Sequence, residues 1–231
     1  STQRTMAFRT WNDKLDFFVS EKRMRERKGA IFELRLRNAL YHFHAINLGY
    51  TNTTLADTIT RLNPNYFEAN TNNQKVFSFT YDYRFDKRDN RQYPLKGQLL
   101  YTQLSNFYVR GGYNQTNIFG LYSLFQPLKK SFFWESSVRV KFSNPKKQYY
   151  PLITGLGFSN NLVRGYELYV IDGQHYGLWK NTIKYELLKK EFNLKKIIKL
   201  SQFSTLPVAI YPNTYFDIGY IRNYYPIYSN S

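Results

Sequence analysis

The sequence predicts an all-β protein, a transmembrane antiparallel β-barrel of the outer membrane, and three observations carry that prediction. Segments of about ten residues alternate apolar and polar side chains, the period of a strand that meets lipid on one face and water on the other. Aromatic residues make up 19% of the chain, with 22 Tyr and 19 Phe, and rings are favoured on strands and at the membrane–water boundary. Although 42% of residues are hydrophobic, mean hydropathy is negative. No uncharged apolar run reaches the roughly eighteen residues that a spanning helix requires.

Composition narrows the class further. The chain of 231 residues has no cysteine, which removes any disulfide framework or thiolate metal site and suits passage through an oxidising compartment. A formal charge of +17 ordinarily points to phosphates. Here the cations sit in turn-like segments such as 21–28 and 189–199 or alternate with apolar residues inside strands, so no nucleic-acid stripe forms. Ser1 is followed by polar residues and Arg4, without the charged-then-apolar order of a secretory leader. The expectation is a cleaved leader or one portion of a longer chain.

In chain order the alternating runs are 31–38, 41–50, 75–85, 95–104, 118–125, 131–142, 181–188 and 214–221. The third separates most cleanly: Phe77, Phe79, Tyr81, Tyr83 and Phe85 share one face, and Val76, Ser78, Thr80, Asp82 and Arg84 the other. Its eleven residues match the roughly 9–11 of a tilted spanning strand. In 131–142, Phe132, Trp134, Val138, Val140 and Phe142 oppose Phe133, Glu135, Ser137, Arg139 and Lys141. About ten strands are expected in all. Connections fall into a short class, 86–94 and 126–130, and a long class, 51–74 and 143–178, as barrels with short periplasmic turns and long external loops require. Residues 187–200 mix Lys, Glu, Leu and Ile at nearly helical spacing and are read as a basic turn or short interfacial helix. No linker or repeat divides the chain, so one domain over 1–231 is expected.

Three motifs carry a family resemblance. In the long late loop, Gly155-Leu156-Gly157-Phe158 precedes Val163-Arg164-Gly165-Tyr166-Glu167. Some fifty residues on stands Tyr215-Phe216-Asp217-Ile218-Gly219. Earlier, Tyr83-Arg84-Phe85-Asp86-Lys87-Arg88-Asp89-Asn90 leads through Tyr93-Pro94-Leu95-Lys96 to Gly97. These resemble, in order, the sixth-loop signature, the aromatic-x-Asp-x-Gly strand element and the periplasmic turn of the BamA/TamA superfamily of outer-membrane assembly and translocation barrels. The resemblance covers 75–221 and implies a barrel of sixteen strands in which this chain is one part. First strands, closing strands and periplasmic POTRA modules are expected outside it. It also implies that Val163, Arg164, Gly165 and Tyr166 form a lumenal loop motif and that Tyr215, Asp217 and Gly219 form its partner on a strand.

The chemistry of the two motifs is complementary. A long loop folded back into a barrel loses conformational entropy unless pinned, and a forked, always-charged guanidinium suits a carboxylate. Arg164 to Asp217 is the expected pin, with Gly165 letting the backbone turn close to the wall and Tyr166 packing on that wall.

What the resemblance implies about function is insertion or export of other outer-membrane proteins. The implied partners are outer-membrane lipids and lipopolysaccharide, client outer-membrane proteins and other assembly or translocation subunits. The run Arg23-Met24-Arg25-Glu26-Arg27-Lys28 suits a turn touching headgroups. No nucleophile elbow or phosphate-binding glycine loop is present, so no enzyme and no cofactor are expected. His42 and His44 share a strand face, and His175 and Asp172 share a loop, yet no third ligand accompanies either pair and no metal is expected. Two other classes share part of the pattern: a passive porin or transporter barrel, which needs no pin, and a soluble carbohydrate-binding β-protein, whose rings line a groove.

Overall fold

The computed structural model describes residues 5–11, 14–20, 25–62, 66–67, 71–158, 160–193 and 205–224. Twelve strands are found among them: β1 (Thr5–Trp11), β2 (Lys14–Ser20), β3 (Arg25–Ala39), β4 (His42–Leu55), β5 (Asn73–Asp86), β6 (Gly97–Val109), β7 (Tyr113–Pro127), β8 (Phe132–Asn144), β9 (His175–Tyr185), β10 (Leu188–Asn193), β11 (Thr205–Ile210) and β12 (Asn213–Arg222). One sheet of eight strands runs β12-β9-β8-β7-β6-β5-β4-β3, and β1-β2 and β10-β11 form separate two-stranded ribbons. Every pairing is antiparallel. The chain is an all-β antiparallel meander, and among the described residues its sheet has two open edges, β3 and β12.

Register separates the sheet into two unlike faces. Residues that pair across neighbouring strands point the same way. One row runs His42, Phe85, Leu100, Tyr122, Val138, Trp179, Ile218 across seven strands. The rows on the opposite face read Phe43, Arg84, Tyr101, Leu121, Arg139, Leu178, Gly219 and Ala45, Asp82, Gln103, Phe119, Lys141, Tyr176, Ile221. The first face is bare: Phe77, Ile118, Phe142, Trp179, Phe216 and Tyr220 are all exposed, Tyr220 to 67%. The second is covered by the β8–β9 connection, and there the small hydrophobic core forms from Leu156, Tyr176 and Leu178, with Phe119, Val163 and Ile221 packed against it. Both strands read in detail from the sequence have the faces their alternation predicts.

Several boundaries differ from the expectation. Residues 51–55 continue β4, and a short helix, α1 (Asp57–Leu62), follows within what reads as a structureless loop. Arg25, Glu26, Arg27 and Lys28 open β3 instead of forming a turn, while Arg23 and Met24 lie outside the described residues. The basic stretch read as a turn or interfacial helix is strand over Leu188–Asn193, where backbone pairing with β11 overrides the near-helical spacing; 194–200 lie outside the described residues. The run 181–188 also joins two elements, since β9 stops at Tyr185. Among the described residues no helix is long and apolar enough to cross a membrane, which leaves strands as the elements to consider.

Candidate functional site

The β8–β9 connection reaches its position because β8 and β9 deliver it from the same rim and because its own sequence seats it. Leu156 and Ile171 form an isolated bridge across its base, and Val163 joins the core cluster. At Gly219 of β12 the seat is cut to fit. A Cβ there would lie 2.7 Å from Leu156 Cδ1 and 3.1 Å from Val163 Cγ2, so the missing side chain is the space the loop occupies.

Arg164 follows Val163 and turns its guanidinium onto β12. Nε donates to Asp217 Oδ2 at 2.9 Å and Nη2 to Oδ1 at 2.5 Å, while the backbone N–H of Arg164 donates to Oδ2 at 3.0 Å. Two of the three remaining donors are used on β9: Nη1 reaches Thr182 Oγ1 at 2.8 Å and Nη2 the carbonyl of Asn181 at 3.0 Å. The Tyr215 ring faces the guanidinium with its centroid 4.3 Å from Cζ. Lys180 Nζ stands 3.9 Å from the same carboxylate, whose side chain is only 2% exposed. A buried carboxylate with a forked guanidinium, a backbone N–H and a second cation is held in its charged form without an unsatisfied oxygen.

Two parts of the expected motif behave differently. Gly165 has φ +88°, the left-handed region that favours glycine, but nothing lies within 4 Å of a Cβ built there, so a turn and not a close approach requires it. Tyr166 does not pack on the wall. It is 61% exposed and meets Tyr169 at 5.6 Å between ring centroids, because the positive φ at Gly165 swings the chain away after Arg164 has reached the sheet. Glu167 accepts the Gly165 N–H at 2.9 Å, and this backbone contact lowers its carboxyl below the ordinary value.

Sequence reasoning missed a set of cations that hold the same loop. Lys141 Nζ donates to Thr154 O at 2.7 Å, Lys180 Nζ to Leu162 O at 2.7 Å, and Arg139 donates to Asn160 O. Their signal in the sequence is the excess of cations over acids on the polar faces of two strands, Arg139 and Lys141 on β8 and Lys180 and Lys184 on β9 against Glu135 alone, which directs donors to loop carbonyls.

The turn between β5 and β6 forms a second knot. Asp86, 1% exposed, accepts from Arg88 Nε at 2.7 Å and Nη2 at 2.9 Å and from Arg84 Nη2 at 2.5 Å. The Asp86 contact raises the Arg88 guanidinium above its ordinary value. Asp89 Oδ1 accepts the N–H groups of Asn90 and Leu95, and Asn90 Oδ1 those of Gln92 and Tyr93, so these two residues shape the turn's backbone. Gly97, at φ +111°, starts β6 with its α-carbon against Lys87 O. The turn leans over the loop-bearing face: Lys184 of β9 donates to Pro94 O at 3.2 Å and lies 4.4 Å from the Tyr93 ring. Tyr93 stacks on Tyr211 at 5.2 Å, and burial, then Glu186, push the Tyr211 hydroxyl up to about 12. A concavity of about 450 Å³ has Arg88, Tyr93 and Pro94 on one side and Arg164, Thr182 and Lys184 on the other, so the turn and loop motifs share one space.

The histidines lie elsewhere. His42 and His44 are on the bare face, hydrogen-bonded to Tyr83 at 2.9 Å and Tyr81 at 2.8 Å, within an aromatic band. His175 Nδ1 accepts the Ser143 N–H at 3.2 Å.

No family model and no curated protein matches the chain. Among solved structures, BamA from Haemophilus ducreyi lacking POTRA domains 1-3 matches with a TM-score of 0.54 at 12% identity, over 83% of this chain and 42% of that one. The chain therefore spans less than half the length of that structure. The all-β antiparallel sheet with a loop seated on one face is thus similar in fold to part of that BamA structure.

Proposed function

We propose that this chain is part of a bilayer-spanning barrel of the outer membrane that assists the insertion or export of other outer-membrane proteins. The observation that carries the reading is the pinned loop: Arg164 of the β8–β9 connection clamped on Asp217 of β12, with Gly219 vacated to receive Leu156 and Val163. The membrane context is supported by the bare face, where exposed rings and aliphatic side chains extend across all eight strands of the sheet. A contiguous apolar surface of that extent needs a nonpolar solvent. Strands of 13–15 residues from β3 to β8 exceed the span a tilted strand requires.

On this reading the mechanism involves no covalent chemistry. The loop and the β5–β6 turn occupy the lumenal face and hold the wall in one shape, while client strands enter the bilayer at a weak lateral seam beside locally thinned lipid. A passive porin is less well supported, because an open pore gains nothing from a loop tied across its wall by Arg139, Lys141, Arg164 and Lys180. The test is reconstitution of the full-length protein in liposomes with an unfolded client barrel. The expected result is faster client insertion than in empty liposomes. Conductance with solute selectivity and no acceleration would place the protein with the porins.

A further inference from the structure

The ribbon β10–β11 is built unlike the sheet it leaves. Its strands have six residues each and, among the described residues, pair only with one another, reaching about 20 Å past the rim at the usual rise per residue. The last tie to the sheet is the Glu186 N–H donating to Ser131 O at 2.7 Å. Lys184 pairs with Asn213 and Leu188 with Ile210, so three residues, 185–187, oppose two, 211 and 212. That extra residue is a bulge, which bends a strand and moves the following side chains to the other face.

The consequence is an apolar face that stays on the bare side. Tyr211 lies against Tyr93 and Phe133 on the loop-bearing side, which sets Ile210 on the opposite one. Register then groups Leu188 with Ile210, Lys190 with Val208 and Phe192 with Leu206. Leu188, Phe192, Leu206 and Ile210 are each more than two-fifths exposed. Lys190, the one charge in this group, keeps its ammonium 5.4 Å from the Phe192 ring. The other face holds Lys189, Glu191, Pro207 and Ala209. Without the bulge, Lys189 and Glu191 would have continued the bare face.

We propose that the ribbon is a membrane-surface anchor that takes a phospholipid leaflet as its ligand. Its apolar face enters the boundary between headgroups and acyl chains, and Lys190 extends along Phe192 toward the headgroup phosphates. The bulge supplies the bend that lets a ribbon leave an upright wall and follow the membrane surface. Lipid is favoured over a protein partner because the apolar face continues the lipid-facing wall through Tyr185 and Phe132, whose rings meet at 4.8 Å at the rim. The inference rests on the proposed barrel reading.

This chain has no cysteine, so once any cysteine elsewhere in the full-length protein is replaced by serine, single labels report the chosen sites. Nitroxide labels at Phe192→Cys, Leu206→Cys, Ala209→Cys and Ile218→Cys in the full-length protein are compared in liposomes of phosphatidylethanolamine and phosphatidylglycerol, by collision with oxygen and with a water-soluble nickel chelate. Ile218 reports the wall itself. The expected result is an oxygen-to-nickel ratio several-fold higher at 192 and 206 than at 209, approaching that at 218. If 192 and 206 match 209 while 218 stays oxygen-rich, the ribbon stands in water and the anchor is wrong although the barrel holds. If 192 and 206 are shielded from both quenchers, protein covers the face and the anchor is again wrong. If 218 is also nickel-accessible, the barrel reading falls and takes the anchor with it.

Discussion

Arg164 and Asp217 meet through a side chain and a backbone amide of the same residue, so the contact fixes both the position and the direction of the loop. Asp217→Asn keeps the shape and removes the charge. Breaking a buried pair from one side typically costs about 3–5 kcal/mol, and the 26% exposure of the Arg164 side chain brings the expectation to the low end of that range. The measurement is protease sensitivity of the 145–174 connection, which should rise strongly in the variant while the sheet stays resistant. Gly219→Val tests the seat independently. A Cβ there meets Leu156 and Val163, so the variant should lose about 1–3 kcal/mol by overpacking, read as a lower melting temperature in detergent. At this scale the sequence made the ion pair legible, because a forked cation in the loop and a carboxylate on a later strand stand in the order of the family they resemble. It did not make Tyr166 legible, since a motif does not say which way the chain leaves a residue of positive φ. Arg139, Lys141 and Lys180 stayed hidden for a related reason: their partners are carbonyls, which every residue carries.

Elements were most legible where the two faces of the sheet differ in polarity. The eight alternating runs map onto the eight strands of the sheet, because a register slip by one residue would put charges such as Arg84, Arg139 and Lys141 on the bare surface. The ribbon β10–β11 was lost because its bulge interrupts the period between Tyr185 and Leu188, and Lys189, Lys190 and Glu191 then imitate a solvated turn. Helix α1 was lost because six residues are too few to establish a helical period. The β5–β6 turn belongs to this scale too. Asp86 collects Arg84 and Arg88, and Arg91 stands 3.6 Å away, so Asp86→Ala leaves cations facing one another. The expected loss is about 3 kcal/mol. Hydrogen exchange checks it: amides of 87–98 should lose protection, including Lys87, whose N–H donates to Gln98 O at 2.9 Å.

The whole molecule divides its chemistry between two faces of one sheet. One face carries rings and aliphatic side chains with nothing of the described chain over them; the other carries cations tied to a loop and a turn. The proposed function depends on that division, since an insertion wall must be soluble in lipid outside and shaped by protein inside. The most direct test is a charge-swap cycle in full-length protein, reading the rate at which reconstituted liposomes insert a client barrel. Arg164→Glu and Asp217→Arg should each slow insertion about tenfold, the equivalent of roughly 1.4 kcal/mol in the barrier. The double swap should recover much of the rate but not all, because an arginine at 217 stands beside Lys180. If both single changes leave the rate untouched, or the double swap is no faster than either, the pinned loop does not serve insertion and the central claim is wrong.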